Sequence, residues 1–237
     1  AIAFDAGSGT TGGSSTSTTL AHTCTGSNLV LFGGLFVVGT GTPTCTYNGV
    51  SMTRLQNVVS KPGAPEEEHL FGLLAPATGA NNLVATYTTA SAPSLQAVSF
   101  TGVKQTGLPD ASSNQSTSGT TVTASVTTVG DNAWGVLFVR NDAGAHMTAG
   151  TNSTIAEDTG NGTFFYSTTP KTPAGTLSMV ANCASSSSIG ALMASFIAAP
   201  PASGPANLKS LDTNLKANIK SYNSNLIANI KSINSNV

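Results

Sequence analysis

At 237 residues the chain is long enough for one or two domains with a sizeable buried core. Charged residues make up 8% of it and the formal net charge is −1, where a quarter charged is usual. Recurring apolar clusters (LVLFGGLFVV, HLFGLL, AWGVLFV, IGALMASFIA) speak against disorder. No basic stripe with interleaved aromatics supports nucleic-acid binding, and no apolar run is long enough for membrane insertion as a helix.

Short β-prone segments alternate with turn clusters along the chain. Strands are predicted over 2–6, 17–24, 29–38, 43–47, 50–58, 67–74, 83–89, 95–101, 120–128, 133–140, 163–167, 175–183 and 189–198. GSGTTGGSS, KPGAPEE, PATGANN, LPDASSNQSTSG and TPKTPAG are read as the loops between them. Many short strands at this spacing predict an all-β sandwich or barrel. Asn48-Gly49, inside TCTYNGVSMTRL, predicts a two-residue hairpin turn, because that dipeptide best tolerates two successive positive φ angles. Val122, Ala124 and Val126 alternate with Thr and Ser, as a half-buried strand should. WGVLFV and ALMASFI are continuous apolar runs and predict strands covered on both faces. The proline-rich AAPPASGPA then ends the body near Ala199.

The wording and order of IAFDA, HTCTGSNLVLF, CTYNGVSMTRL, FGLLAPATGANNLVATY, VSFTGVKQTGLPDA, TTVGDNAWGVLFV, TPAGTLSM and IGALMASFIA resemble a group of β-sandwich proteins from bacteriophage and metagenomic virus genomes. The resemblance spans residues 2–198 and rests on turns and core strands. It implies a concanavalin-like or jelly-roll sandwich on a virion, in a fibre, decoration or receptor-binding protein, and it brings no catalytic residues with it. Ala1 fits either signal cleavage or trimming of an initiator methionine, and the resemblance favours the second.

Beyond the proline-rich stretch the composition changes. Residues 1–207 hold five basic and nine acidic groups, net −4, and residues 208–237 hold four lysines and one aspartate, net +3, which sums to −1. The tail repeats with a period of eleven: LKSLDTNLKAN, IKSYNSNLIAN, IKSINSNV. Leu208, Leu211, Leu215, Ile219, Tyr222, Leu226, Ile230, Ile233 and Val237 fall at spacings of three and four. Eleven residues in three turns keeps such a stripe on one helix face. Eight asparagines cost the helix about 5 kcal/mol at up to ~0.7 kcal/mol each. Burial of the nine apolar residues, at about 1.5–3 kcal/mol each, offsets this only against a partner surface. A hendecad assembly helix is therefore expected. The alternatives are a helix folded back on its own body, a disordered tail, or a strand added to a neighbour's sheet.

Candidate chemistry is sparse. PEEEH (65–69) brings carboxylates together as glycoside hydrolysis requires, but consecutive strand residues point to opposite faces, and a solvated loop edge is expected. Asp142 and His146 lack a third partner. AEDTGNG, with Glu157 and Asp158, is read as a turn rather than a calcium loop. GSGTTGG lacks the lysine of a phosphate loop. His22 is read as a packed or edge residue and Trp134 as core rather than a sugar-stacking platform. Cys24, Cys45 and Cys183 carry no C-x-x-C spacing, so zinc is not expected. They are read as buried thiols, with a Cys24–Cys45 bridge left open.

The expected organisation is an antiparallel, jelly-roll-like β-sandwich over 1–199, a linker over 200–206 and an assembly helix over 207–237. The expected function is that of a non-enzymatic virion surface protein without cofactor or metal, a homo-oligomer partnered by itself, other virion proteins and host cell-surface glycans. A secreted adhesin or filament subunit is the alternative, and a polysaccharide-degrading enzyme a more distant one.

Overall fold

The computed structural model describes residues 1–39, 41–61, 66–201, 219–221 and 223–226. The chain divides into two units, Ala1–Ala199 and Pro200–Val237.

The first unit is all-β and antiparallel. Its strands are β1 (Ala3–Thr11), β2 (Ser15–Cys24), β3 (Val30–Val38), β4 (Thr44–Tyr47), β5 (Val50–Ser51), β6 (Thr53–Lys61), β7 (Glu66–Leu74), β8 (Gly79–Thr101), β9 (Ala111–Thr127), β10 (Ala133–Asn141), β11 (Thr148–Ala149), β12 (Thr154–Asp158), β13 (Thr163–Tyr166) and β14 (Thr176–Ile197). They form an eight-stranded sheet, β5-β4-β8-β3-β7-β6 with β1 and β2 also on β8, and a six-stranded sheet, β11-β14-β10-β13-β12 with β9 also on β14.

One plan of connections occurs twice. In the first half, β8 takes β1 and β2 along one edge and β4 and β3 along the other, β3 continues to β7, and β7 to β6. In the second half, β14 takes β9 along one edge and β11 and β10 along the other, β10 continues to β13, and β13 to β12. Even the buried ends of the long strands correspond, Val98-Ser99-Phe100 beside Ala194-Ser195-Phe196.

The two long strands explain the three cores. The early part of β8 turns Leu83, Ala85 and Tyr87 onto the same core as Leu95 and Ala97 from its later part. That sheet therefore folds over on itself, and β14 repeats the device with Leu177, Met179 and Ala181 meeting Ala191 and Met193. The opposite faces of the later parts pack sheet on sheet, joining Phe32, Phe36, Val98 and Phe100 to Val136, Phe138, Leu192 and Phe196. The central strands β3 and β10 are thus covered on both faces, which is why they read as unbroken apolar runs. Strands of the outer layers, such as β2, alternate between exposed and buried.

The structure departs from the sequence reading at several places: residues 7–11 of GSGTTGGSS, read as loop, are the second part of β1, and β11 and β12 were not expected. The segments 83–89 and 95–101 belong to a single strand, as do 175–183 and 189–198. The serine-rich 111–119, read as loop, is the first part of β9, laddered against β14 from Ser195 to Ser187. Partner hydrogen bonds, not apolar pattern, hold it there. Tyr47 and Val50 flank the expected turn, with φ of 49° at Asn48 and 76° at Gly49.

In the second unit, residues 219–221 and 223–226 are helical, and the Ser224 hydroxyl donates to the Lys220 carbonyl at 2.8 Å, one turn back. Ile219 and Leu226 lie seven residues apart and are 54% and 49% exposed. Leu208, Leu211, Leu215, Tyr222, Ile230, Ile233 and Val237 lie outside the described residues, as does 202–206 of the expected linker.

Candidate functional site

The acidic run expected at a solvated loop edge lies inside β7, with Glu66, Glu68 and His69 buried. Alternation turns Glu66, Glu68 and Leu70 toward the core between the sheets, and Glu67, His69 and Phe71 toward the core within the first half. Glu66 pairs with the Arg140 guanidinium, which also lies 3.7 Å over the Phe36 ring. Lys61 reaches Asp142 at 2.9 Å at the outer side of this cluster. Glu68 is fully buried, accepts the Ser60 hydroxyl at 2.6 Å through Oε1, and its Oε2 has no partner among the described residues. A Cβ on Gly190 would come within 2.5 Å of that Oε2, so the glycine makes room for the carboxyl. Burial pushes the Glu68 carboxyl up to about 8, against the opposing pull of Ser60 and Arg140. His69 is pushed down to about 4 by burial, with the Arg54 charge adding to it. Its Nε2 lies 3.2 Å from Glu67 Oε2 without the alignment of a hydrogen bond.

Two carboxyls on one strand face, one beside a guanidinium and one held protonated, are what acid–base hydrolysis of a glycoside uses. Access decides against it: Glu68 is 0% and Glu66 8% exposed. The cluster instead fastens one sheet to the other. Gln56 adds to it, donating to Ser112 at 2.8 Å and accepting from Asn114 at 2.6 Å.

The other candidates resolve similarly. His146 Nδ1 lies 2.8 Å from Asp158 Oδ2, which joins the NDAGAHM and AEDTGNG loops, whereas Asp142 is engaged by Lys61. Asp158 Oδ1 accepts from the Gly160 N–H at 2.9 Å and the Thr163 hydroxyl at 3.0 Å, so the carboxylate organises a turn. Among the described residues no three His, Cys, Asp or Glu side chains are grouped to hold a metal ion. Trp134 is half-buried at the rim of the inter-sheet core, stacked on Tyr166 at 6.0 Å, which stacks on Phe4 at 5.3 Å. Cys24, Cys45 and Cys183 are buried free thiols. Two depressions of about 380 and 450 Å³, beside Gly72 and Leu108 and beside Asn48 and Asn82, are lined by neither acid, histidine nor cysteine.

Sequence reasoning missed one constellation. His22, 2% exposed, has both ring nitrogens engaged: Nδ1 with Ser8 Oγ at 2.7 Å and Nε2 with Ser99 Oγ at 3.1 Å. Ser99 donates onward to Asp5 Oδ2 at 2.7 Å, and Asp5 is also held by the Thr25 N–H at 2.9 Å and by the Thr25 hydroxyl. The alternation of β2 shows that Leu20, His22 and Cys24 share a face, but no local spacing connects His22 with Ser99, 77 residues away. Burial lowers the His22 imidazole to about 4, although Asp5 works against this.

Comparisons with protein families, curated proteins and solved structures found no match to the chain.

Proposed function

We propose that the chain is a structural protein of a bacteriophage virion surface, a fibre, decoration or receptor-binding protein with a jelly-roll-like body assembled through its C-terminal tail. The observation that carries the reading is the tail. Pro200–Val237 forms a unit of its own, residues 219–221 and 223–226 in it are helical, and the exposed apolar side chains of Ile219 and Leu226 lie seven residues apart, the spacing of one helix face. The resemblance of residues 2–198 to phage and metagenomic virus proteins supports the particle context. The body's neutral, Ser/Thr-rich exposed strands support contact with other virion proteins and host glycans.

The test is sedimentation of the full chain beside a variant with Leu215→Asp, Ile219→Asp and Leu226→Asp. Buried unpaired charge at a seam is strongly unfavourable, so the parent sediments as an oligomer and the variant as a folded monomer. A variant that keeps the parent's oligomeric state rules out the tail as the interface.

A further inference from the structure

We propose that Ser8 is a nucleophile for acyl transfer, its proton taken by His22 and the imidazole held in the receptive tautomer by Ser99 and Asp5, so that the chain reacts with small esters. This goes beyond the assembly role and does not depend on it.

The direction of each hydrogen bond fixes the protons. Burial alone would raise the Asp5 carboxyl, but the Thr25 and Ser99 hydrogen bonds and His22 together bring it below its ordinary value, so it is a carboxylate and only accepts. The single hydroxyl proton of Ser99 is therefore committed to Asp5. Ser99 Oγ must accept from His22, which places the imidazole proton on Nε2. With its pKa near 4 the ring is neutral at pH 7, so Nδ1 carries a lone pair. At 2.7 Å its partner is the Ser8 hydroxyl, which must donate. Nucleophile, base and orienting group thus stand in hydrogen-bonded order, the arrangement that activates a serine. The Ser99 hydroxyl relays between imidazole and carboxylate.

His22 and Ser99 are 2% and 0% exposed, whereas Ser8 and Asp5, at the two ends of the relay, are half-buried, so Ser8 is open to solvent. Ser8 stands between Gly7 and Gly9, whose missing side chains belong to the opposite face of β1. Those glycines are fixed by close packing on that face, against the Ala156 carbonyl and, at 2.5 Å from an added Cβ, Thr159 Cγ2, which also immobilises the backbone of β1. Among the described residues β1 is laddered to β8 alone, so alternate N–H groups along it face away from β8, and those nearest Ser8 would be the donors for a developing oxyanion.

In the reaction Ser8 Oγ bonds to the ester carbonyl carbon and its proton passes to His22 Nδ1. The departing alkoxide takes that proton and leaves as the alcohol, with the acyl group on Ser8. Water, deprotonated by Nδ1, then attacks the acyl carbon, and Ser8 recovers its proton as the carboxylic acid departs. The imidazolium formed in each half-reaction is stabilised by Asp5 through Ser99. A serine on a strand rather than in a deep cleft suits a small acyl group, such as an acetyl ester displayed on a surface.

The full chain is incubated with a fluorophosphonate probe, weighed intact and mapped by peptide, with p-nitrophenyl acetate hydrolysis in parallel. The expected result is one adduct on Ser8, absent in Ser8→Ala, whose melting matches the parent. Labelling should rise as pH passes the His22 titration and be flat by neutrality. Asp5→Asn should slow labelling about tenfold or more per folded molecule, since it removes the group that sets the tautomer. No adduct on Ser8 while a control serine hydrolase labels fully overturns the proposal. An Asp5→Asn rate equal to the parent's overturns the relay.

Discussion

Glu68→Gln should stabilise the protein increasingly as pH rises. The folded-state pKa of about 8 lies above the ordinary 4.5, so between these values the unfolded chain has released a proton that the folded chain retains. Stability conferred by the group therefore falls as pH rises through that window and levels off above about 8. At about 1.4 kcal/mol per unit, reduced slightly because both titrations are partial at the ends of the range, the loss between pH 5 and pH 8 is about 3–4 kcal/mol. Glutamine keeps an acceptor for Ser60 and fills the same space beside Gly190, but it has no proton to lose. Urea unfolding of parent and variant at pH 5, 6, 7, 8 and 9 measures the difference directly, and other titrating groups cancel in it. The variant's advantage should grow by about 3–4 kcal/mol from pH 5 to pH 8 and then level off. A difference that does not change with pH refutes the buried, protonated Glu68.

Gly34→Ala should destabilise by about 1–3 kcal/mol, because its Cβ would sit 2.6 Å from Phe138 and 2.7 Å from Phe164. Gly33→Ala, whose nearest neighbour would be 3.6 Å away, should cost distinctly less in the same thermal melt. Gly49→Ala meets no atom within 4 Å but must hold φ at 76°, so a loss of about 1 kcal/mol is expected from backbone strain alone. Arg140→Met strands Glu66 without its partner and should cost about 3–5 kcal/mol in urea unfolding, most of which Glu66→Gln in the same chain should restore.

How far the sequence reaches is clear from individual segments. The continuous runs WGVLFV and ALMASFI predict strands covered on both faces, and β10 and the later part of β14 lie between cores. The Asn48-Gly49 turn was legible because its constraint is held within two residues. The acidic run at 66–69 was not, because its burial depends on Arg140, 74 residues away, and on the space at Gly190. The polar 111–119 is a strand only through its ladder with β14.

Ser8, His22, Ser99 and Asp5 carry the same lesson into chemistry. GSG and a lone histidine have no local pattern that distinguishes them from turn and core. β1 and β2 both ladder to the one long strand β8, and the fold of that sheet brings the four side chains together. Local sequence determined what depends on local physics: β propensity, two-faced burial, the hairpin turn and the eleven-residue period of the tail. The tertiary structure decided which polar groups are desolvated, and that sets proton positions, because desolvation and hydrogen bonding act between side chains the chain itself keeps far apart.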